Sequence, residues 1–119
     1  MTVTLYHNPR CSKSRQTLAL LNERGLSPEI ILYLQDPPSE QALKRIIAAL
    51  DLAPHDLIRP SEAEYAELGL NERMTKEALV TAMAKHPTLI QRPIVCVNDG
   101  DRFQARLGRP PEQVLEILP

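Results

Sequence analysis

Apolar and polar positions alternate at the start of the chain: Val3 and Leu5 lie between Thr2, Thr4 and Tyr6, the period-2 pattern of a strand. Asn8-Pro9 then turns the chain. The next run carries Leu18 and Leu21 on a helical stripe that Gly25 is suited to end. Ile30, Ile31, Leu32 and Leu34 read as a buried second strand. A strand, helix and strand of these lengths predict a right-handed parallel unit.

The period changes in the middle of the chain. Leu43, Ile46, Ile47 and Leu50 recur at i, i+3, i+4 and i+7 after the start signal Pro37-Pro38-Ser39, which predicts a helix. Ser61 and Glu64 have capping-box spacing before Tyr65 and Leu68, with Gly69 as the stop. Another helix is expected from about Thr75 through Leu79 and Met83, ended by His86-Pro87. The β-branched run Ile94-Val95-Cys96-Val97 and the residues around Phe103 flank Asp99-Gly100, a hairpin turn signal. A short helix from about Pro111 to Leu118 is expected to turn Val114, Leu115 and Leu118 inward. No repeat, low-complexity segment or linker divides the sequence, so residues 1–119 are expected to form a single domain.

Composition narrows the class. With 43% hydrophobic and 24% charged residues the chain reads as globular, neither disordered nor a coiled coil. The formal charge of −1 argues against a nucleic-acid binder that works through bulk electrostatics. Met1 to Tyr6 lack the basic and long apolar regions of a signal peptide, and no run reaches membrane-spanning length. A cytoplasmic protein is therefore expected, without membrane contact. In a reducing compartment, Cys11 and Cys96 are better read as a reactive thiol and a core thiol than as a disulfide.

The chemistry concentrates in His7-Asn8-Pro9-Arg10-Cys11-Ser12-Lys13-Ser14-Arg15. The nucleophile of a cysteine is its thiolate, and helix N-termini and cationic neighbours favour the anion. Cys11 sits at the strand-to-helix turn, with Arg15 one turn further on. His7, if protonated, would add positive charge, and Ser14 is placed to donate to a thiolate or a bound oxyanion. A lone cysteine beside an arginine is more often an inert small hydrophobe; here turn position, cations and Ser14 agree. Arg59, Arg92 and Arg109 each precede a proline. Three guanidinium forks could grip a tetrahedral oxyanion, although a single Arg-Pro pair is more often an element boundary with a solvated side chain. No Cys/His spacing matches a zinc site, no nucleotide fingerprint is present, and the residue six after Cys11 is Thr17, which fails the Cys-x5-Arg phosphatase pattern.

The combination of His7-Asn8-Pro9-x-Cys11-x-x-Ser14-Arg15, Ile31-Leu32-Tyr33-Leu34, Pro37-Pro38, Leu57-Ile58-Arg59, Arg92-Pro93-Ile94-Val95, Arg109-Pro110 and Val114 to Leu118 resembles the ArsC family of arsenate reductases coupled to glutathione and glutaredoxin. The resemblance implies an α/β, thioredoxin-like fold. It has a central mixed sheet flanked by helices, and a helical insertion between the N-terminal strand-helix-strand unit and the C-terminal hairpin-helix unit.

By the same resemblance Cys11 is the nucleophile, and His7, Ser14 and Arg15 tune the thiol. Arg59, Arg92 and Arg109 bind the oxyanion, and Pro93 is a cis-proline beside the site. The resemblance also implies arsenate as substrate, glutathione as co-substrate and glutaredoxin as partner, with no metal or bound cofactor. A monomer is expected. Arg10, Ser12 and Lys13 make the turn more basic than in the family's arsenate reductases. Two alternatives stay open: a monothiol glutaredoxin-like oxidoreductase, which would not need the arginines, and a regulator like Spx that binds RNA polymerase, against which Ser14 counts because Spx proteins carry Cys-x-x-Cys.

Overall fold

Strand β1 (Thr2–Tyr6) forms where the alternation places it, with Val3 and Leu5 buried. The computed structural model describes residues 1–119. They separate into two compact units, residues 1–36 with 92–119, and residues 37–91. The second is the helical insertion expected between the two halves of the first.

In the first unit, β1 is followed by α1 (Ser12–Glu23) and β2 (Glu29–Ile31), and later by β3 (Ile94–Asn98) and β4 (Phe103–Leu107). The sheet order is β2-β1-β3-β4. β1 pairs with β2 in parallel and with β3 antiparallel, and β3 pairs antiparallel with β4, so the sheet is mixed. Helix α1 ends as Gly25 predicts: Gly25 has φ 74°, its N–H bonds to the Asn22 carbonyl, and the Leu26 N–H bonds to the Leu21 carbonyl. This is the double bond of a Schellman stop. Leu21, Val3, Leu5, Val95, Val97, Val114 and Ile117 form one buried cluster, with Leu26 packed against it.

Two expectations about this unit change. The second strand is only three residues long and lies at the sheet edge, with Ile30 46%, Leu32 36% and Leu34 42% exposed; Tyr33, not they, is buried. An edge strand has one unpaired side, so an apolar run there need not be enclosed. The last segment, Pro111–Ile117, is a 3₁₀ helix rather than an α-helix. Its three-residue repeat buries Pro111, Val114 and Ile117, while Leu115 is half-buried and Leu118 packs half-buried against the core cluster as expected. At the hairpin, the Asp99 carboxylate accepts from the N–H groups of Asp101 and Arg102, and Gly100 takes φ 98°.

The second unit contains α2 (Glu40–Leu50), α3 (Ala63–Glu67) and α4 (Lys76–Lys85). Ser39 and Thr75 cap α2 and α4 by accepting from the N–H groups of Ala42 and Ala78. Leu43, Ile46 and Ile47 of α2 are buried, as are Leu79, Val80 and Met83 of α4. The expected capping box at Ser61 and Glu64 does not form. Glu62 occupies the N-cap without a side-chain bond, and the Glu64 carboxylate accepts from the Thr88 hydroxyl instead. No helix is long and apolar enough to cross a membrane.

The 3₁₀ period of the last segment has a measurable consequence. In urea denaturation, Ile117→Ala is expected to cost about 2 kcal/mol or more, as for a buried aliphatic side chain. Leu115→Ala is expected to cost less than half as much; equal losses would indicate an α-helical packing.

Candidate active site

The turn after β1 is built by hydrogen bonds that its own sequence supplies. The Cys11 N–H donates to the Asn8 carbonyl at 2.9 Å, and the Arg10 N–H donates to Asn8 Oδ1 at 3.0 Å, an Asx turn. Ser14, fully buried on the first turn of α1, has its Oγ 2.6 Å from His7 Nδ1 and accepts the Asn8 N–H at 3.1 Å. Its hydroxyl therefore ties strand end, turn and helix together. Asn8 is a contributor that the sequence reading treated only as a turn former; its position two residues before Arg10 was the available signal.

Cys11 occupies the N-cap of α1 with extended backbone (φ −93°, ψ 123°) and no side-chain capping bond. The N–H groups that open a 12-residue helix thus stand uncapped beside a half-buried thiol, and the positive end of the helix dipole favours an anion there. Neither cysteine is in a disulfide, and Cys96 is buried within β3.

The arginines are brought in by strand register. Tyr6 pairs with Ile94, and Ile94 with Leu107. The next residues outward, His7, Pro93 and Gly108, therefore lie at one end of the sheet, within about two strand spacings, ~10 Å. Arg92 and Arg109 sit one residue further out. The Arg92–Pro93 peptide bond is cis, and so is Arg109–Pro110, which nothing in the sequence had marked. Gly108 N–H donates to the Pro93 carbonyl at 3.0 Å, and Arg109 Nη1 donates to the Arg92 carbonyl at 3.1 Å.

Arg92 Nε is buried and has no hydrogen-bond partner. The ion pairs Arg59–Glu62 at 2.6 Å and Arg106–Glu116 at 2.8 Å involve neither Arg92 nor Arg109. Arg59 belongs to the second unit, where it follows Ile58, bridged to Ile90, and its guanidinium holds Glu62.

His7 is 6% exposed, and burial, with the Arg15 charge as the second cause, holds its pKa below the ordinary imidazole value. At neutral pH it is therefore a neutral ring, not an added cation. The positive charge around Cys11 comes from Arg10, Lys13 and Arg15. Arg15 is exposed and donates to the Pro9 carbonyl at 2.8 Å, so it braces the turn from outside as Ser14 does from within. A pocket of about 250 Å³ adjoins the turn, with Pro9, Arg10, Leu32 and Leu34 in its lining.

Comparison with known proteins shows the family. Residues 6–117 match the ArsC family. The protein YfgD of Escherichia coli (strain K12) is 48% identical over 98% of this chain and 96% of its own length. An arsenate reductase of Rhizobium meliloti (strain 1021) is 46% identical, covering 100% of this chain and 83% of its own. The solved structure of an arsenate reductase from Vibrio cholerae superposes with a TM-score of 0.91 at 52% identity, covering 99% of this chain and 98% of the other.

The depressed pKa of His7 links stability to pH. Between the ordinary value near 6.5 and the lower folded one, the unfolded chain binds a proton that the folded chain does not. His7's contribution is thus fully present above about pH 6.5 and is lost as pH falls through that window. Imidazole NMR should show His7 titrating below 6.5, and His7→Gln should flatten the corresponding decline in urea stability. A His7 titration at or above 6.5 would contradict this.

Proposed function

The chain belongs to the ArsC family, and on that premise we propose that it reduces arsenate to arsenite through Cys11, with glutathione and glutaredoxin supplying the electrons. The observation that carries this reading is the convergence of an uncapped helix N-terminus at Cys11 with two arginines at the same end of the sheet, one of them holding a buried donor without a partner. A tetrahedral oxyanion satisfies both features at once. Arg92 and Arg109 fork onto its oxygens, and the start of α1 and the cations of the turn complement its charge. The family likeness extends the role of oxyanion ligand to Arg59.

In the first step the Cys11 thiolate attacks arsenic, a sulfur-arsenic bond forms, and an arsenate oxygen leaves as water after protonation. Glutathione thiolate then attacks the Cys11 sulfur. The sulfur-arsenic bond breaks, its electron pair stays on arsenic, arsenic falls from +5 to +3, and arsenite departs from a Cys11-glutathione disulfide. Ser14 stands where a Cys-x-x-Cys protein has its second thiol, and Cys96 is a core residue, so the disulfide is opened from outside by a glutaredoxin thiol. The dependence on glutathione suits the reducing cytoplasm.

A steady-state assay with arsenate, glutathione and glutaredoxin tests the proposal. Cys11→Ser should abolish turnover with the fold intact. Arg92→Ala should raise the arsenate KM roughly tenfold to a hundredfold, the worth of a charge-assisted hydrogen bond, and Arg59→Ala should raise it too. An Arg92→Ala variant with unchanged arsenate kinetics would instead favour a monothiol oxidoreductase that has no use for an oxyanion grip.

A further inference from the structure

Gly108 differs from the other glycines of the chain. Gly25, Gly69 and Gly100 take positive φ and have open space where a side chain would go. Gly108 does not have that backbone conformation, yet a methyl group on its Cα would stand 2.5 Å from Thr17 Oγ1 and 2.6 Å from Pro93 Cγ. Neither neighbour can yield easily. Thr17 is fully buried and its hydroxyl is held by donating to the Lys13 carbonyl at 2.8 Å, while Pro93 is a buried, rigid ring. What glycine supplies here is room for the Thr17 and Pro93 side chains to close onto the Gly108 backbone.

Each of the three segments that meet here leads to a residue of the candidate site. Thr17 lies on α1, about 9 Å along the helix axis from Cys11, and a packed helix moves as one body. Pro93 follows Arg92, and Gly108 precedes Arg109. We propose that Gly108 is a positioning residue: the absence of its side chain lets α1 close onto the Pro93 segment, and that approach sets the placing of the Cys11 thiol relative to Arg92 and Arg109. This rests on the reading of the two arginines as oxyanion ligands and adds the element that spaces them from the nucleophile. A methyl group at Gly108 pushes either α1 or the Pro93 segment outward, and each displacement widens the grip without touching substrate.

The test compares wild type, Gly108→Ala and Gly108→Ala/Thr17→Ala, each checked for folding by circular dichroism. In Gly108→Ala the rate of Cys11 alkylation by iodoacetamide should stay within about twofold, because the turn that surrounds the thiol is unchanged. The arsenate KM should rise about tenfold or more, as misplacement of reacting groups costs, with a smaller change in kcat. Removing the Thr17 hydroxyl in the double variant should recover part of the loss; if the single variant does not fold, a folded double variant with a raised KM carries the same expectation. A folded Gly108→Ala with the wild-type arsenate KM would overturn the proposal.

Failure of the wild type to reduce arsenate would count against the proposed function alone. In that case ¹⁵N NMR decides: the Arg92 and Arg109 Nε–H and Cys11 amide resonances should shift in Gly108→Ala, and unshifted resonances would overturn the positioning role.

Discussion

The antiparallel register that sets Tyr6 against Ile94, and Ile94 against Leu107, is the constraint on which the site depends. It places the residue after β1, the residue before β3 and the residue after β4 at one sheet end, though they are separated by most of the chain. A one-residue slip would turn Val95 and Val97 away from Leu21 and Val114, so the buried cluster that stabilises the first unit also fixes the geometry of the site. Packing and function are thus one specification in this half of the molecule. Arg92 and Arg109 need no loop of their own to reach that end; they lie two residues beyond the last paired row of the sheet.

Around the thiol, backbone geometry carries more of the design than side-chain charge. Ser14, Asn8 and Arg15 all make hydrogen bonds that hold the turn, and His7 is kept neutral by burial. The field at Cys11 then comes from the first turn of α1 and from Arg10, Lys13 and Arg15, none of which is in an ion pair. Because these charges are partly solvated, each contributes little alone. The helix end and the donor on Arg92 are fixed in place, and preorganised groups of that kind are the ones that discriminate a transition state from water.

Much of this was legible in the sequence where a residue type admits one local geometry. The strand at Val3 and Leu5, the Schellman stop at Gly25, and the caps at Ser39 and Thr75 follow from period and capping chemistry alone. Other features depend on what lies across the fold. Burial of Ile30, Leu32 and Leu34 turns on whether β2 has a neighbour on both sides, and it has one. Pro111–Ile117 is a 3₁₀ helix, whose three-residue repeat buries Ile117 and leaves Leu115 half-buried. Glu64 prefers Thr88, a partner distant in sequence, to its local box. At the candidate site, the motif singles out Cys11 and its neighbours, but nothing local could show that Gly108 meets Thr17 and Pro93.

The central claim is that Cys11 reacts with an oxyanion first and with glutathione second. Mass spectrometry of the intact chain and its peptides, after incubation with arsenate and glutathione but no glutaredoxin, tests that order directly. The account predicts a single glutathione adduct on Cys11 that accumulates with arsenite and only when arsenate is supplied. An adduct that forms equally without arsenate, or that maps to Cys96, would contradict it.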